Sequence, residues 1–228
     1  MRYAALQQRL PKWLHRHILY FEALIDDEVN RLAVELPAGA RVLDAGAGES
    51  RHRPFFPKQR YVAADLAVGD AAWNYAGLDA LCDLESLPFR CASFDAALNI
   101  VTLEHVRRPE AVLAEIARVL APGGRLLLIA PQDWEVHQAP HDYFRYTRYG
   151  LRDLLVRAGF TEIDIRPAGG FFRLLSRRLL NALQFFPGLW IVPAAVLFAP
   201  PALLLPWLDP LDRACDFTLG YTCTARKQ

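Results

Sequence analysis

Residues 41–48, Arg-Val-Leu-Asp-Ala-Gly-Ala-Gly, constrain the fold of this chain more than any other stretch. A short apolar run ends in Asp44 and breaks at once into Gly46 and Gly48. That is the pattern of a buried parallel strand opening into a tight turn. Glycine lets the backbone bend sharply and lets a ligand approach where a Cβ would collide. A second run, Tyr61 to Asp65, ends in an acid, about 20 residues on, where a βαβ nucleotide site places the carboxylate that grips a ribose. The two runs together imply an α/β fold holding a nucleotide-like cofactor.

The details point away from a dinucleotide. Arg51 stands where the third glycine of G-x-G-x-x-G belongs, the residue that lets the next helix pack on the strand. Asp44, two residues before Gly46, would repel a pyrophosphate but suits a cofactor carrying positive charge. S-adenosylmethionine, with a sulfonium and an ammonium, is such a cofactor.

Further segments follow in series: Asp83-Leu84-Glu85-Ser86-Leu87-Pro88-Phe89, Ser93-Phe94-Asp95, Leu103-Glu104-His105-Val106, and Glu115 to Gly124 through Arg118-Val119-Leu120-Ala121-Pro122-Gly123. With Val42–Gly48 and Tyr61–Asp65, they make residues 40–165 resemble the class I S-adenosylmethionine-dependent methyltransferases, in particular the type 11 small-molecule group. The resemblance implies a Rossmann-like fold: a mostly parallel seven-stranded sheet with its last strand antiparallel and helices on both faces. It also implies that Asp44, Gly46 and Gly48 line the methionine end of the cofactor and that Asp65 takes the ribose hydroxyls. Asp83 and Leu84 would face the adenine, by side chain and backbone respectively, and Asn99 and His105 would shape the methionine side. Ser50, where many members have another glycine, is a departure.

Composition sets broad bounds. The chain has 228 residues, 53% of them hydrophobic, enough for a full core. A formal charge of +1 and the lack of a Lys/Arg run offer no basic groove for nucleic acid. The four cysteines form no C-x-x-C pair, and the first residues lack the apolar stretch of a signal peptide. The expected location is the cytoplasm, peripherally on the inner face of the membrane.

Strands are expected at 41–45, 61–65, about 79–82, 94–101, 125–130, Thr161–Arg166 and Phe217–Ala225. Leu14, Ile18, Phe21, Ile25, Val29 and Leu32 form the stripe of an amphipathic helix, preceded by a basic segment with Arg2, Arg9, Lys12, Arg16, His15 and His17. Pro109 opens another helix, stopped by Pro122-Gly123-Gly124. Thr147 caps a third that ends before Gly159. Residues 66–78 support no confident helix, because Gly69, Asn74 and Gly77 interrupt them. The expected organisation is a helical lid or cap over 1–40, a cofactor-binding core over 41–168, an apolar insertion over 169–213 and the final strand over 214–228.

Residues 179–208 are 30 residues without a charge. The length suits a membrane span, but Pro187, Pro193, Pro200, Pro201 and Pro206 break or kink a helix. The flanking strands must also pair in one sheet on one side of the membrane. Three roles remain: a shallow membrane-surface hairpin anchored by Arg173, Arg177, Arg178 and Arg213 with Trp190 and Trp207 at headgroup depth, an apolar lid, or a homodimer interface. The membrane surface is favoured.

For proton chemistry, the loop after the fifth strand offers His137, His141, Asp142, Tyr143, Arg145 and Tyr146. His141 is the candidate base, with Tyr143, Arg145 or Tyr146 orienting the acceptor. His137, His141 and Asp142 imitate a metal set but lack a further ligand, so no metal is expected. The activity expected is transfer of a methyl group from S-adenosylmethionine to an apolar or lipid-linked acceptor at the membrane surface, with oxygen preferred. The rivals are a soluble methyltransferase of a saccharide or natural product, a non-catalytic cofactor-binding partner subunit, and a dehydrogenase.

Overall fold

The computed structural model describes residues 16–70 and 72–228; Leu14 of the amphipathic stripe, and Arg2, Arg9, Lys12 and His15 of the basic segment, lie outside them. The chain divides into two compact units. One comprises the described residues up to Leu24 with Pro167–Leu219, and the other Ile25–Arg166 with Gly220–Gln228. The boundary expected after residue 40 therefore falls earlier, inside helix α1 (Tyr20–Glu35). Its second half carries Ile25, Val29 and Leu32 as buried residues of the larger unit. Gln59 Nε2 donates to the carbonyls of Ala33 and Leu36, each at 3.1 Å.

The larger unit is built on one seven-stranded sheet. Its strands are β1 (Arg41–Ala45), β2 (Arg60–Asp65), β3 (Ala80–Leu81), β4 (Phe94–Ile100), β5 (Leu120–Pro131), β6 (Phe160–Pro167) and β7 (Gly220–Lys227), in the spatial order β3-β2-β1-β4-β5-β7-β6. The pairs β1·β2, β1·β4, β2·β3 and β4·β5 are parallel. β7 runs antiparallel to β5, from Arg125↔Arg226 to Pro131↔Gly220. Strand order reverses beside β1, and in open α/β sheets the ligand crevice lies outside the carboxyl ends of the strands at such a point.

The central strands are apolar on both faces, as strands covered on both sides must be. Leu126, Leu128 and Ala130 pack into a cluster with helix α2 (Pro109–Val119) and helix α3 (Arg148–Arg157). Leu127 and Ile129 alternate to the opposite face and are equally buried. α2 presents Val112, Leu113, Ile116 and Ala117. α3 presents Leu151 and Leu155, and the Thr147 hydroxyl accepts from the Gly150 N–H.

One local expectation is corrected. α2 ends at Val119, and Leu120 already begins β5. The Pro122-Gly123-Gly124 sequence is instead an irregularity inside the strand, where the β4·β5 register jumps from Phe94↔Leu120 to Ala96↔Arg125. Over 66–78 the only regular element among the described residues is a 3₁₀ turn, Tyr75–Gly77. It is pinned from outside: Glu49 accepts from the Asn74 N–H, and Ser50 and Arg53 donate to the Gly77 carbonyl.

The smaller unit is a helical hairpin of α4 (Phe171–Ala182) and α5 (Ile191–Leu204), continued by a 3₁₀ segment, Leu205–Leu211. The prolines do not break it. Pro193 sits in the first turn of α5, where no N–H is needed, and Pro200 and Pro201 lie inside the helix. Pro206 cannot donate to the Ala202 carbonyl four residues back, and the buried Ser176 hydroxyl takes that acceptor at 2.6 Å. The N-terminus of α4 is capped from the far end of the hairpin. Asp209 accepts from the N–H groups of Gly170 and Arg173, and Asp212 from that of Phe171.

Arg173 pairs with Asp209 at 3.2 Å and lies over the Tyr20 ring, while Arg177, 5% exposed, grips Glu22. These two cations are therefore committed inside the unit rather than offered as lipid anchors. Because the Ala202 carbonyl has no helical partner, Ser176→Ala leaves it buried and unsatisfied. The variant is expected to lose about 1–3 kcal/mol, read by urea denaturation, with faster amide exchange confined to α4 and α5.

Candidate active site

The site is assembled where β1, β2 and β4 end. The Ala45 carbonyl accepts from Asn99 Nδ2 at 2.8 Å. The N–H groups of Gly46 and Ala47 both reach the Ala64 carbonyl, at 2.8 and 3.2 Å. Asp65 closes the bend, accepting from the Gly48 N–H at 2.9 Å and the Ala67 N–H at 2.7 Å. Gly46 has φ +93°, and a Cβ there would collide with Thr102, whose hydroxyl donates to the Gly46 carbonyl at 3.2 Å. A Cβ on Gly48 would meet the Trp73 ring at 3.1 Å. Ser50, at φ +57°, occupies the left-handed region with an L side chain, a strain of about 1–2 kcal/mol partly offset by its hydrogen bond to Gly77.

Asp44 is fully buried. One carboxylate oxygen accepts from the Tyr61 hydroxyl and lies 3.1 Å from His52 Nδ1; the other is buried without a hydrogen-bond partner. Burial, followed by the adjacent Asp44 charge, drives the Tyr61 hydroxyl far above its ordinary pKa. This acceptor-rich, bare-backbone bend fits a cationic nucleoside cofactor better than a diphosphate.

Two of the residues expected at the cofactor engage their side chains with the chain itself. Asn99 is fully buried and acts as a strut on the Ala45 carbonyl rather than as an open lining residue. Asp83 is exposed and closes its own turn, accepting from the Glu85 N–H at 2.9 Å. The Leu84 side chain enters the core, so any contact it makes with an adenine is through the backbone. Thr102, Trp73, Tyr61 and His52 were not anticipated. Thr102 is a polar residue just past a strand end and Trp73 an aromatic in a polar loop, and those were the available signals.

The loop after β5 forms a second cluster. His141 Nδ1 lies 3.1 Å from the Tyr143 hydroxyl, and the Tyr143 N–H donates to the Glu104 carbonyl. Two expected acceptor-orienting residues are corrected. The Arg145 guanidinium is spent on Asp142, at 2.6 and 2.9 Å, and on the carbonyls of Trp134, Phe144 and Glu135. Tyr146 is buried in the core, donating to the Leu103 carbonyl at 2.8 Å. His141 and Tyr143 are the two of the four whose side chains face each other.

The His137–His141–Asp142 combination is not brought together as a ligand set. Asp142 is held by Arg145 and the His137 N–H, and the His141 ring turns to Tyr143. Glu104, His105 and His137 converge instead. Burial lowers the His137 pKa, but the Glu104 carboxylate, the Glu135 carbonyl and Asp142 outweigh it and leave it above the ordinary value.

A mostly parallel sheet with this strand order, a glycine bend and two carboxylates at the strand tips define a cofactor-binding α/β domain. Residues 43–128 match the family described as methyltransferase domain. A malonyl-[acyl-carrier protein] O-methyltransferase of Hahella chejuensis is 34% identical over 113 residues, 44% of this chain and 40% of that protein. A fatty-acid O-methyltransferase of Mycolicibacterium smegmatis is 28% identical over 215 residues, 83% of this chain and 70% of that protein. The chain thus spans less than half the length of the first relative. The fold matches the 1,6-didemethyltoxoflavin-N1-methyltransferase of Burkholderia thailandensis, solved with S-adenosylhomocysteine, at a TM-score of 0.54 and 23% identity over 99% of this chain and 89% of that one. Residues 43–128 thus carry a methyltransferase domain of the class I S-adenosylmethionine-dependent kind, and S-adenosylmethionine is its cofactor.

Gly46→Ala, which drives a methyl into Thr102 at a positive φ, is expected to abolish S-adenosylhomocysteine binding by calorimetry. Asp65→Asn should weaken it at least tenfold, about 1.4 kcal/mol or more. Tyr146→Phe should lower stability without changing cofactor affinity.

The Arg145 fork holds the Asp142 carboxyl at about 2, against an ordinary 3.8. A depressed carboxyl contributes stability above its ordinary range, lost as pH falls from about 4 toward 2. A carboxyl-resolved NMR titration should find the midpoint near 2, returning toward the ordinary value in Arg145→Gln.

Proposed function

We propose that this methyltransferase acts on an apolar or lipid-linked acceptor at a membrane surface, with oxygen as the accepting atom, and that it resides in the cytoplasm, peripherally on the inner face of the membrane. S-adenosylmethionine supplies an activated methyl group, so the chain's own work is to align the acceptor for in-line displacement. A carboxylate acceptor needs no base. A hydroxyl needs one, and His141, beside the Tyr143 hydroxyl, is the group placed to accept its proton.

The observation that carries the reading is the exposed apolar helix of the smaller unit. Gly188–Leu211 is 24 residues, long and apolar enough to cross a membrane, and only 11% of its most apolar window is buried. Leu189, Trp190, Val196, Leu197, Trp207 and Leu211 are each at least 65% exposed. An apolar face of this extent marks an interaction surface, and tryptophans on it suit headgroup depth. The names of the two O-methyltransferase relatives, which specify a fatty acid and a malonylated acyl carrier, support an acyl-type acceptor.

The test incubates the chain and methyl-labelled S-adenosylmethionine with separated membrane and soluble-metabolite fractions, and follows flotation with phosphatidylglycerol-containing vesicles. Label should enter the organic-extractable fraction of the membranes. The double variant Trp190→Asp, Leu197→Asp should float at least tenfold less while still binding S-adenosylhomocysteine. Label confined to water-soluble saccharides or natural products, with the chain running as a non-floating homodimer, would overturn the reading.

A further inference from the structure

Glu104, His105 and His137 form a cluster just beyond the cofactor bend. Glu104 is fully buried, and neither carboxylate oxygen has a hydrogen-bond partner. His105 Nδ1 meets the His141 carbonyl at 2.5 Å and His137 Nδ1 meets the Glu135 carbonyl at 3.1 Å. A carbonyl only accepts, so each ring carries a proton on Nδ1, and in its neutral form presents Nε2 as a lone pair. The two Nε2 atoms are 3.1 Å apart, and both face Glu104 Oε1, at 3.6 and 3.7 Å. With the rings neutral, three acceptors converge on one point, which only a proton or a metal ion can bridge. A buried carboxylate in that setting is strongly disfavoured unless a cation compensates it.

The distances define what cation fits. A point equidistant from the three atoms lies about 2.0 Å from each, close to the ~2.0–2.2 Å of nitrogen and carboxylate bonds to zinc-class ions. Both imidazoles already have the outer hydrogen bond through Nδ1 that fixes the tautomer of a metal-ligating histidine. Glu104 seals one side of the cluster, whereas His105 and His137 remain 12% and 23% exposed, so the remaining coordination positions open toward solvent.

We propose that Glu104, His105 and His137 bind one divalent transition-metal ion of the zinc–cobalt–iron type, whose open positions take an oxygen of the methyl acceptor. Two neutral imidazoles, one carboxylate and a divalent ion leave a net positive charge, which selects an anionic or ionisable oxygen such as a carboxylate. Thr102, the residue packed on Gly46, lies two positions before Glu104, so the ligands follow directly from the cofactor bend. Metal binding itself does not depend on the membrane reading.

The test uses the full chain stripped with a chelator and titrated with cobalt(II), followed by visible ligand-field absorption and calorimetry. One ion per chain is expected, with a rise in Tm on binding. Glu104→Gln and His137→Gln should each weaken cobalt binding at least tenfold while retaining S-adenosylhomocysteine affinity, which reports that the domain is folded. Cys91→Ser should leave the cobalt spectrum unchanged. The proposal is overturned if the wild-type chain binds no stoichiometric cobalt, if both variants bind it as the wild type does, or if Cys91→Ser alone removes it.

Discussion

The seam joining the tips of β1, β2 and β4 is the constraint on which the larger unit depends. Beyond Ala45 the first strand has no further parallel partner, and its polar groups would be stranded in an apolar interior. Asn99 takes the last carbonyl, the Ala64 carbonyl takes two successive N–H groups, and the Asp65 carboxylate takes a third. Each of these bonds pulls the backbone away from strand geometry. The result is a bend that only a residue without a side chain accommodates at Gly46, because Thr102 fills the space a Cβ would need. Satisfying buried amides and making room for a cofactor are here one structural event.

Legibility in the sequence followed how local the physics was. Strands β1, β2 and β4, the Thr147 cap and the glycine bend are set by short-range pattern and backbone sterics, and they were readable. Arg145 and Tyr146 were misread because a polar residue in a site loop looks the same whether it faces a ligand or its own chain. Arg145 spends its guanidinium on Asp142 and three carbonyls, and Tyr146 serves the Leu103 carbonyl. The end of α2 was misplaced because Pro122-Gly123-Gly124 is a breaker motif that the sheet uses as a register jump. Glu104 with His137 was invisible for a different reason. Thirty-two residues and two strand ends separate His105 from His137, and only the sheet brings them together.

The hairpin unit follows the same economy of acceptors. Its opening turn is capped by Asp209 and Asp212 from its closing segment, so one end of the hairpin is needed to satisfy the other. Arg177 with Glu22 ties the N-terminal part of α1 into the same unit. The charges that the sequence suggested for outside contacts are, for Arg173 and Arg177, internal fasteners, and the outer face is left almost purely apolar.

The prolines inside α5 carry a last consequence. Pro200 and Pro201 have no N–H to return to the carbonyls of Val196 and Leu197. In hydrocarbon such oxygens would be starved of donors; at the level of ester groups and bound water they are readily solvated. A helix notched in this way is suited to float rather than to pierce. The two ring nitrogens that cannot donate leave this helix with acceptors that call for water.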